Sequence, residues 1–324
     1  MKATKQIVHI TARLVCLMVL VTVSFAANPT LVLPRGLAVD GKGNLYVANS
    51  AANDILVYNS AYVLQPSKTI SMGISTPWGL AYDRWGNLWV ANNGNNSVTE
   101  YPNGQLSPAA TLTTLVSSPQ ALAFDPLGDL WVQDNGAYLS VYGPLSGTPL
   151  GAPASEVQTV TPGGTVYGVA FGTDAIAIGT PTDVVVGSSG PTILFGELGG
   201  FLTVSESTGF AMASDVSGRF YIANLDGSVQ ISATKQGVNG QPGSLNTSLF
   251  LRLPFAPSGI AIDNDARTDL FFQLQQQLNF RLRHSRDSFA RDSVAVESSL
   301  LLADGHSSPV RHFSWRKSSS STDR

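Results

Sequence analysis

Short apolar runs, each closed by an Asp or an Asn, recur along most of this chain and are separated by Gly- and Asn-rich connections. "GLAVD" ends at Asp40, a Gly-Asn pair follows, and then come "LYVAN" to Asn49, the segment "ILVY" to Tyr58 and "KTISM" to Met72. Runs of this length bounded by turn residues predict β-strands, four to a unit. Unbroken apolarity in the first strand predicts burial on both faces, and alternation in the third predicts one face nearer solvent. The Asp-x-x-Gly-Asn element at Asp40 to Asn44 and Asp83 to Asn87 predicts a tight hairpin. Its Asp can bond to the backbone and its Gly can take positive φ.

The pattern is a repeat. "PRGLAVDGKGNLYVAN", Pro34 to Asn49, returns as "PWGLAYDRWGNLWVAN", Pro77 to Asn92. Further copies are "PQALAFDPLGDLWVQD" from Pro119, a worn "VYGVAFG" from Val166, "GFAMASDVSGRFYIAN" from Gly209 and "PSGIAID" from Pro257. Equivalent positions 40, 83, 125, 172, 215 and 263 are 43, 42, 47, 43 and 48 residues apart. A period in the forties built from short strands predicts propeller blades. "TLVL" at Thr30 to Leu33 precedes the first unit and has no blade of its own. It matches "TLTTL" at Thr111 to Leu115 and "FLTVS" at Phe201 to Ser205. The expectation is that this N-terminal strand completes the last blade and removes the open edge of the ring.

Composition agrees with an all-β protein, because only 13% of the 324 residues are charged while Gly and Pro number 31 and 18. A net charge of −3 offers no chain-wide basic field for nucleic acid. Residues 1–26 read as a signal peptide: Lys2, Lys5 and Arg13 precede an apolar run ending in Ser24-Phe25-Ala26, a small-x-small cleavage pattern. A secreted or periplasmic protein is expected, with membrane association only if this segment is uncleaved. The single cysteine, Cys16, lies inside it, so a mature protein from residue 27 carries no disulfide.

The repeated phrase resembles NHL-repeat proteins, whose units share Pro-x-Gly-hydrophobic-Ala-x-Asp followed by Gly-Asn-hydrophobic-Tyr/Trp-Val-Ala-Asn. The resemblance covers residues 30–263 and implies a six-bladed β-propeller of four-stranded blades, with the sixth incomplete. It implies little about activity, since propellers host many functions. Virginiamycin B lyase-like and gluconolactonase-like propellers are more distant likenesses. The former rely on histidines, whereas the only histidines here are His9, His284, His306 and His312, all outside the repeats. The latter hold calcium with carboxylate and amide oxygens. Asp40, Asp83, Asp125, Asp215 and Asp263 recur at one place in five units, which marks them as turn formers rather than ligands. Asn49, Asn92 and Asn224 are read likewise, as loop residues capping backbone groups. No cofactor is expected, calcium being the one ion the resemblance would bring.

Residues 264–324 break the pattern in the middle of the sixth unit. They hold nine of the nineteen Lys and Arg, three of the four His and one of the 31 Gly. An appended tail, a helical cap and translation in a shifted frame are the competing origins. Gln273, Gln275, Gln276 and Gln277 each precede a codon beginning with C or T, so a one-base shift converts each to Asn or Ser. That restores an Asn-rich loop like "NNGNNS", Asn92 to Ser97, where the sixth unit requires one. Without its regular second and third strands the ring is expected to be unstable, or to close with "FFQLQQQLNF".

Catalytic constellations are missing from the repeats. They contain no Cys or His to act as nucleophile or base, and Glu100, Glu156, Glu197 and Glu206 fall at unrelated points of the unit. The variable second word of the phrase is more informative. It reads Arg35, Trp78, Gln120, Tyr167, Phe210 and Ser258, equivalent points expected to ring one mouth of the channel. Three aromatics with an Arg and a Gln suit stacking and orientation of a protein, peptide or glycan ligand. Packing against neighbouring loops is the competing reading. Trp89 and Trp131 share the Tyr46 position and are expected to pack between blades. The frame-shift origin is checked by resequencing the 3′ end of the gene with intact mass of the exported protein; an unbroken frame with no nearby slip overturns it.

Overall fold

The computed structural model describes residues 31–143 save 62, 127 and 135–137. Beyond these it describes 156–158, 168–171, 175–179, 183–188, 202–205, 211–215, 219–236, 242–252, 257–263, 269–274, 279–283, 299–301 and 307–309. Apart from the three short 3-10 turns Ser50–Ala52, Pro66–Lys68 and Asn93–Asn95, the described regular structure is all strand. No helix among the described residues is long and apolar enough to cross a membrane.

Every described strand pairs antiparallel with its sequence neighbour in the same sheet. The first sheet holds β1 (Pro34–Val39), β2 (Leu45–Asn49) and β3 (Asp54–Tyr58), and the second β4 (Pro77–Tyr82), β5 (Leu88–Asn92), β6 (Ser97–Tyr101) and β7 (Ala110–Leu112). The third runs β8 (Ala121–Phe124), β9 (Leu130–Gln133), β10 (Tyr138–Tyr142) and β11 (Glu156–Gln158). The fourth has β12 (Gly168–Phe171), β13 (Ala175–Gly179), β14 (Asp183–Ser188) and β15 (Leu202–Ser205). The fifth has β16 (Ala211–Ser214), β17 (Arg219–Ala223), β18 (Ser228–Gln236) and β19 (Pro242–Arg252). The sixth has β20 (Pro257–Asp263), β21 (Asp269–Leu274) and β22 (Asn279–Arg283); a separate hairpin, β23 (Ser299–Leu301) and β24 (Ser307–Pro309), lies beside β22. The first strands β1, β4, β8, β12, β16 and β20 each touch the next, and β20 touches β1, so the inner strands close a circle. The architecture is a β-propeller.

The core is divided into wedges between sheets. Ala38, Ala48, Ile55 and Ile70 of the first unit pack on Leu80, Leu88, Val90 and Tyr101 of the second. Trp89, Val98 and Leu112 of the second pack on Leu122, Leu130 and Tyr142 of the third. Leu31, Leu37, Leu45 and Val47 meet Ala261 of the last sheet, which is how apolar contact joins the two ends of the ring. Burial on two sheet faces explains the unbroken apolar runs of the first and second strands. Aromatic rings bridge the same wedges: Tyr46 meets Tyr82 edge-on at 5.4 Å and Trp89 meets Phe124 at 6.1 Å, as expected for that position.

Several expectations need restating. The third strands show no alternation of exposure, residues 55–58 and 97–99 being buried throughout, and in the first unit "KTISM" contributes a single bridge, Ile70 with Ile55, instead of a fourth strand. Of Thr30 to Leu33, the described residues Leu31–Leu33 form no strand in the last sheet. Their backbone is already engaged: the Val32 amide donates to Asn49 Oδ1, and the Val32 and Leu33 carbonyls accept from Ala51 and Ser50. Ser75 and Thr76 make the same bonds with Asn92, Gly94 and Asn93, so "LVLP" corresponds to "ISTP" and "VSSP", not to a fourth strand. In the sixth unit, by contrast, the off-pattern segment does fill the gap, with Phe271 to Leu274 in β21 and Asn279 and Phe280 in β22.

The hairpin reading of the repeated Asp holds in detail. Asp40 Oδ1 accepts from the Lys42 and Asn44 amides at 2.9 and 2.8 Å, and Oδ2 from Asn44 Nδ2 at 2.7 Å. Asp83 does the same with Trp85 and Asn87, and takes Trp89 Nε1 as well. Asp215 accepts from the Arg219 amide and guanidinium. Gly43, Gly86 and Gly128 carry φ of 74°, 84° and 94° in the turns, the conformation for which Gly is needed. In the third unit Asp129 replaces the Asn. Burial and the Asp125 charge push its carboxyl up to about 6, and Arg84 only partly opposes them. A carboxyl raised above its unfolded value of about 4 contributes stability below that pH, which is lost as pH rises through about 6. Asp129→Asn, which supplies the amide donor of Asn44 and Asn87, is expected to stabilise the protein at pH 7 by about 1 kcal/mol. It should also flatten the dependence of the unfolding midpoint between pH 4 and 6 (about the two pKa values); an unchanged slope refutes this.

Candidate functional site

The phrase Pro-x-Gly sits at a fault in the ladder. β1 pairs Pro34 with Asn49 and Leu37 with Val47, so Arg35 and Gly36 together face Ala48 alone. β4 repeats this with Trp78 and Gly79 between Pro77 and Leu80, and β20 has its own irregularity between Pro257 and Gly259. A bulge of this kind bends the strand and re-aims a side chain. Gly is required beside it: a Cβ on Gly36 would lie 2.1 Å from the Trp78 carbonyl oxygen, and one on Gly79 2.7 Å from that of Gln120. Neighbouring inner strands therefore approach backbone to backbone, and the residue before each Gly sits where they converge. In the third unit Ala121 pairs regularly with Gln133, without a bulge.

A cavity of about 120 Å³ occupies the centre, lined by Arg35, Trp78, Gln120 and the strands following them, with Val169, Ala211, Met212, Gly259 and Ile260 from the other three sheets. All six inner strands thus contribute. Of the six expected ring residues, Arg35, Trp78 and Gln120 are brought together here. Ser258 lies in the bulge of β20, and Tyr167 and Phe210 lie outside the described residues.

Arg35 and Trp78 touch: the guanidinium carbon stands 4.4 Å from the indole centroid. Burial lowers the Arg35 pKa, and its Nε is buried with no acceptor. Gln120 has a partner that sequence reasoning did not single out. Gln133 stands where Ala48, Ala91 and Ala223 stand in other units, is fully buried, and donates to the Asp134 carbonyl at 2.8 Å and, at a long 3.5 Å, to Gln120 Oε1. The change from "LYVAN" to "LWVQD" was the available signal.

The repeated polar residues are occupied elsewhere. Besides accepting from the lead-in backbone, Asn49 donates to Asp54 and Asn92 to Thr99. Asn224 donates to Ser228, while Asp134 accepts from Ser117 and Ser140. Asn53 and Asn96, both left-handed at φ 57° and 56°, accept from Thr76 and Ser118 of the following unit. Among the described residues no group of three or more His, Cys, Asp or Glu is placed to hold a metal.

No protein-family model and no curated protein matches this sequence. Solved structures do. A gluconolactonase from Xanthomonas campestris superposes with a TM-score of 0.57 at 13% identity, over 76% of this chain and 84% of that one. A streptogramin B lyase gives 0.55 at 13%, over 84% and 91%. A hydrazine synthase from Kuenenia stuttgartiensis gives 0.55 at 12%, over 81% and 98%. These are propeller proteins, and likeness at such identities establishes the fold.

The close approach at the axis has a direct check. Gly36→Ala forces a Cβ against a backbone oxygen that no rotamer can move, and is expected to cost about 3 kcal/mol. Gly41→Ala, in a turn with open space around it, should be near neutral. Equal unfolding midpoints for the two variants contradict the steric account.

Proposed function

We propose that this protein is an exported NHL-type, six-bladed propeller that works by binding, holding a protein, peptide or glycan ligand at the mouth where the variable residues converge. One observation carries the reading. The positions that repeat are engaged in turns and loop staples, whereas Arg35, Trp78 and Gln120, which differ from unit to unit, line the central cavity. A rigid frame that varies only at its axis has the form of a recognition surface. Trp supplies a large contact face at low entropic cost, and Arg and Gln supply direction. Tyr167, Phe210 and Ser258 complete the ring in this proposal.

The second reading is a lactonase- or lyase-type enzyme with an oxygen-ligated metal in the channel, favoured by the likeness to a gluconolactonase and a streptogramin B lyase. The described lining does not fit a divalent ion: it carries one cation and no carboxylate. No catalytic step is therefore assigned to such a metal. Binding measured on glycan and peptide arrays, then by titration of the exported protein, separates the readings. Trp78→Ala is expected to weaken binding by about 2 kcal/mol, and chelator to leave it unchanged. Indifference to Trp78→Ala removes the ring from the account. Turnover of a lactone, abolished by chelator and restored by calcium, would establish the enzyme instead.

A further inference from the structure

Among the described residues lining the central cavity Arg35 is the sole charged one, and none of them gives it a counter-charge. Its guanidinium makes no hydrogen bond or ion pair within the described structure; its contact is the face of Trp78. Arg219 shows the contrast, with its guanidinium bonded to Asp215 at the foot of a hairpin. A guanidinium stays charged at neutral pH and offers five donors in a flat fork. Leaving the buried Nε without an acceptor is unfavourable, and none of the described residues supplies one.

We infer, resting on the binding reading above, that the mouth is a carboxylate subsite in which Arg35 receives the ligand's carboxylate and the adjoining group stacks on Trp78. Three features favour a carboxylate over other anions. One guanidinium balances one negative charge, whereas a phosphate dianion leaves a charge unmatched. The planar fork fits a planar carboxylate with two parallel hydrogen bonds. A cavity of about 120 Å³ admits the end of a ligand and not its middle, and an end is where a carboxylate is found on a peptide or on a sugar acid. Trp78 fixes the guanidinium plane from one side, so less freedom is lost when the acid binds. Gln120, its Oε1 turned toward Gln133, has an amide nitrogen to offer beside it.

The test uses the whole exported protein and the indole N–H resonance of Trp78, assigned by its loss in Trp78→Phe. N-acetyl-phenylalanine, its amide, glucuronate, glucose and phenyl phosphate are titrated in turn. The acids are expected to bind at least about tenfold more tightly than the neutral partners, the scale of a charge-assisted hydrogen bond. Arg35→Gln should reduce the acid to the level of the amide, with the unfolding midpoint showing that the variant is folded. Preference for the peptide acid identifies the C-terminal carboxylate of a peptide as the source, and preference for glucuronate a sugar acid. If acid and amide bind alike, or phenyl phosphate binds best, the carboxylate inference fails while binding at the mouth stands. If no probe moves the Trp78 resonance, both fail.

Discussion

Sheets that radiate from an axis and pack on both faces have least room where their inner strands meet, and this crowding governs the molecule. At Gly36 and Gly79 a Cβ would stand 2.1 and 2.7 Å from the next strand's carbonyl oxygen, so a hydrogen is the largest substituent tolerated. The same crowding makes the first and second inner strands slip register, since Arg35 and Gly36, or Trp78 and Gly79, cannot both lie flat in the ladder. The slip points one residue of each pair into the mouth. A packing constraint thus creates a position that is structurally prominent and chemically unassigned.

The rest of the unit serves to hold that arrangement from outside. Wedges of apolar side chains between sheets supply most of the driving force, which scales with area removed from water. Direction comes from buried polar residues, which are costly unless fully bonded. Asn92 accepts the Ser75 amide and donates to Thr99, and Asn96 reaches across to Ser118 of the following sheet. Tyr101 ties its sheet to the connection from the preceding one, with its hydroxyl donating to the Met72 carbonyl at 2.6 Å, and Tyr142 does the same with the Thr114 carbonyl. A protein without disulfides in its repeats is locked by these bonds, most of which tie a sheet to the connection leading into it or into the next.

How much of this was legible depended on whether the physics was local. The Asp40 and Asp83 hairpins could be read from five residues, because a carboxylate and a positive-φ Gly act within one turn. Tyr46 and Trp89 were readable as packing residues because they recur at one phase of the strand. Leu31–Leu33 misleads for the opposite reason. Its β-like composition resembles a strand, and only the bonds from Asn49, Ser50 and Ala51 reveal a lead-in; alignment on Pro34, Pro77 and Pro119 is the signal that would show it. The role of Gly36 is equally hidden, since the atom it makes way for belongs to Trp78, in the next unit of the sequence. Gln133 reads as a mere variant of Ala48, though a buried amide in place of a methyl always requires partners.

On the proposed binding reading, the asymmetry of the axis bears on what a ligand must look like. A repeat protein with equivalent residues in every unit presents a symmetric mouth and can orient nothing. Here the first unit contributes a cation, the second an indole against it and the third an amide backed by Gln133, so one side of the cavity is polar and directional. Of the described residues, Val169, Ala211, Met212 and Ile260 line the opposite side, and these offer contact without direction. A ligand that satisfies both halves has an acceptor at one edge and an apolar or ring face at the other. An ion alone satisfies only the first, and a featureless apolar group leaves the Arg35 donors unmet in a site from which it has displaced water, a penalty on the order of 1–3 kcal/mol.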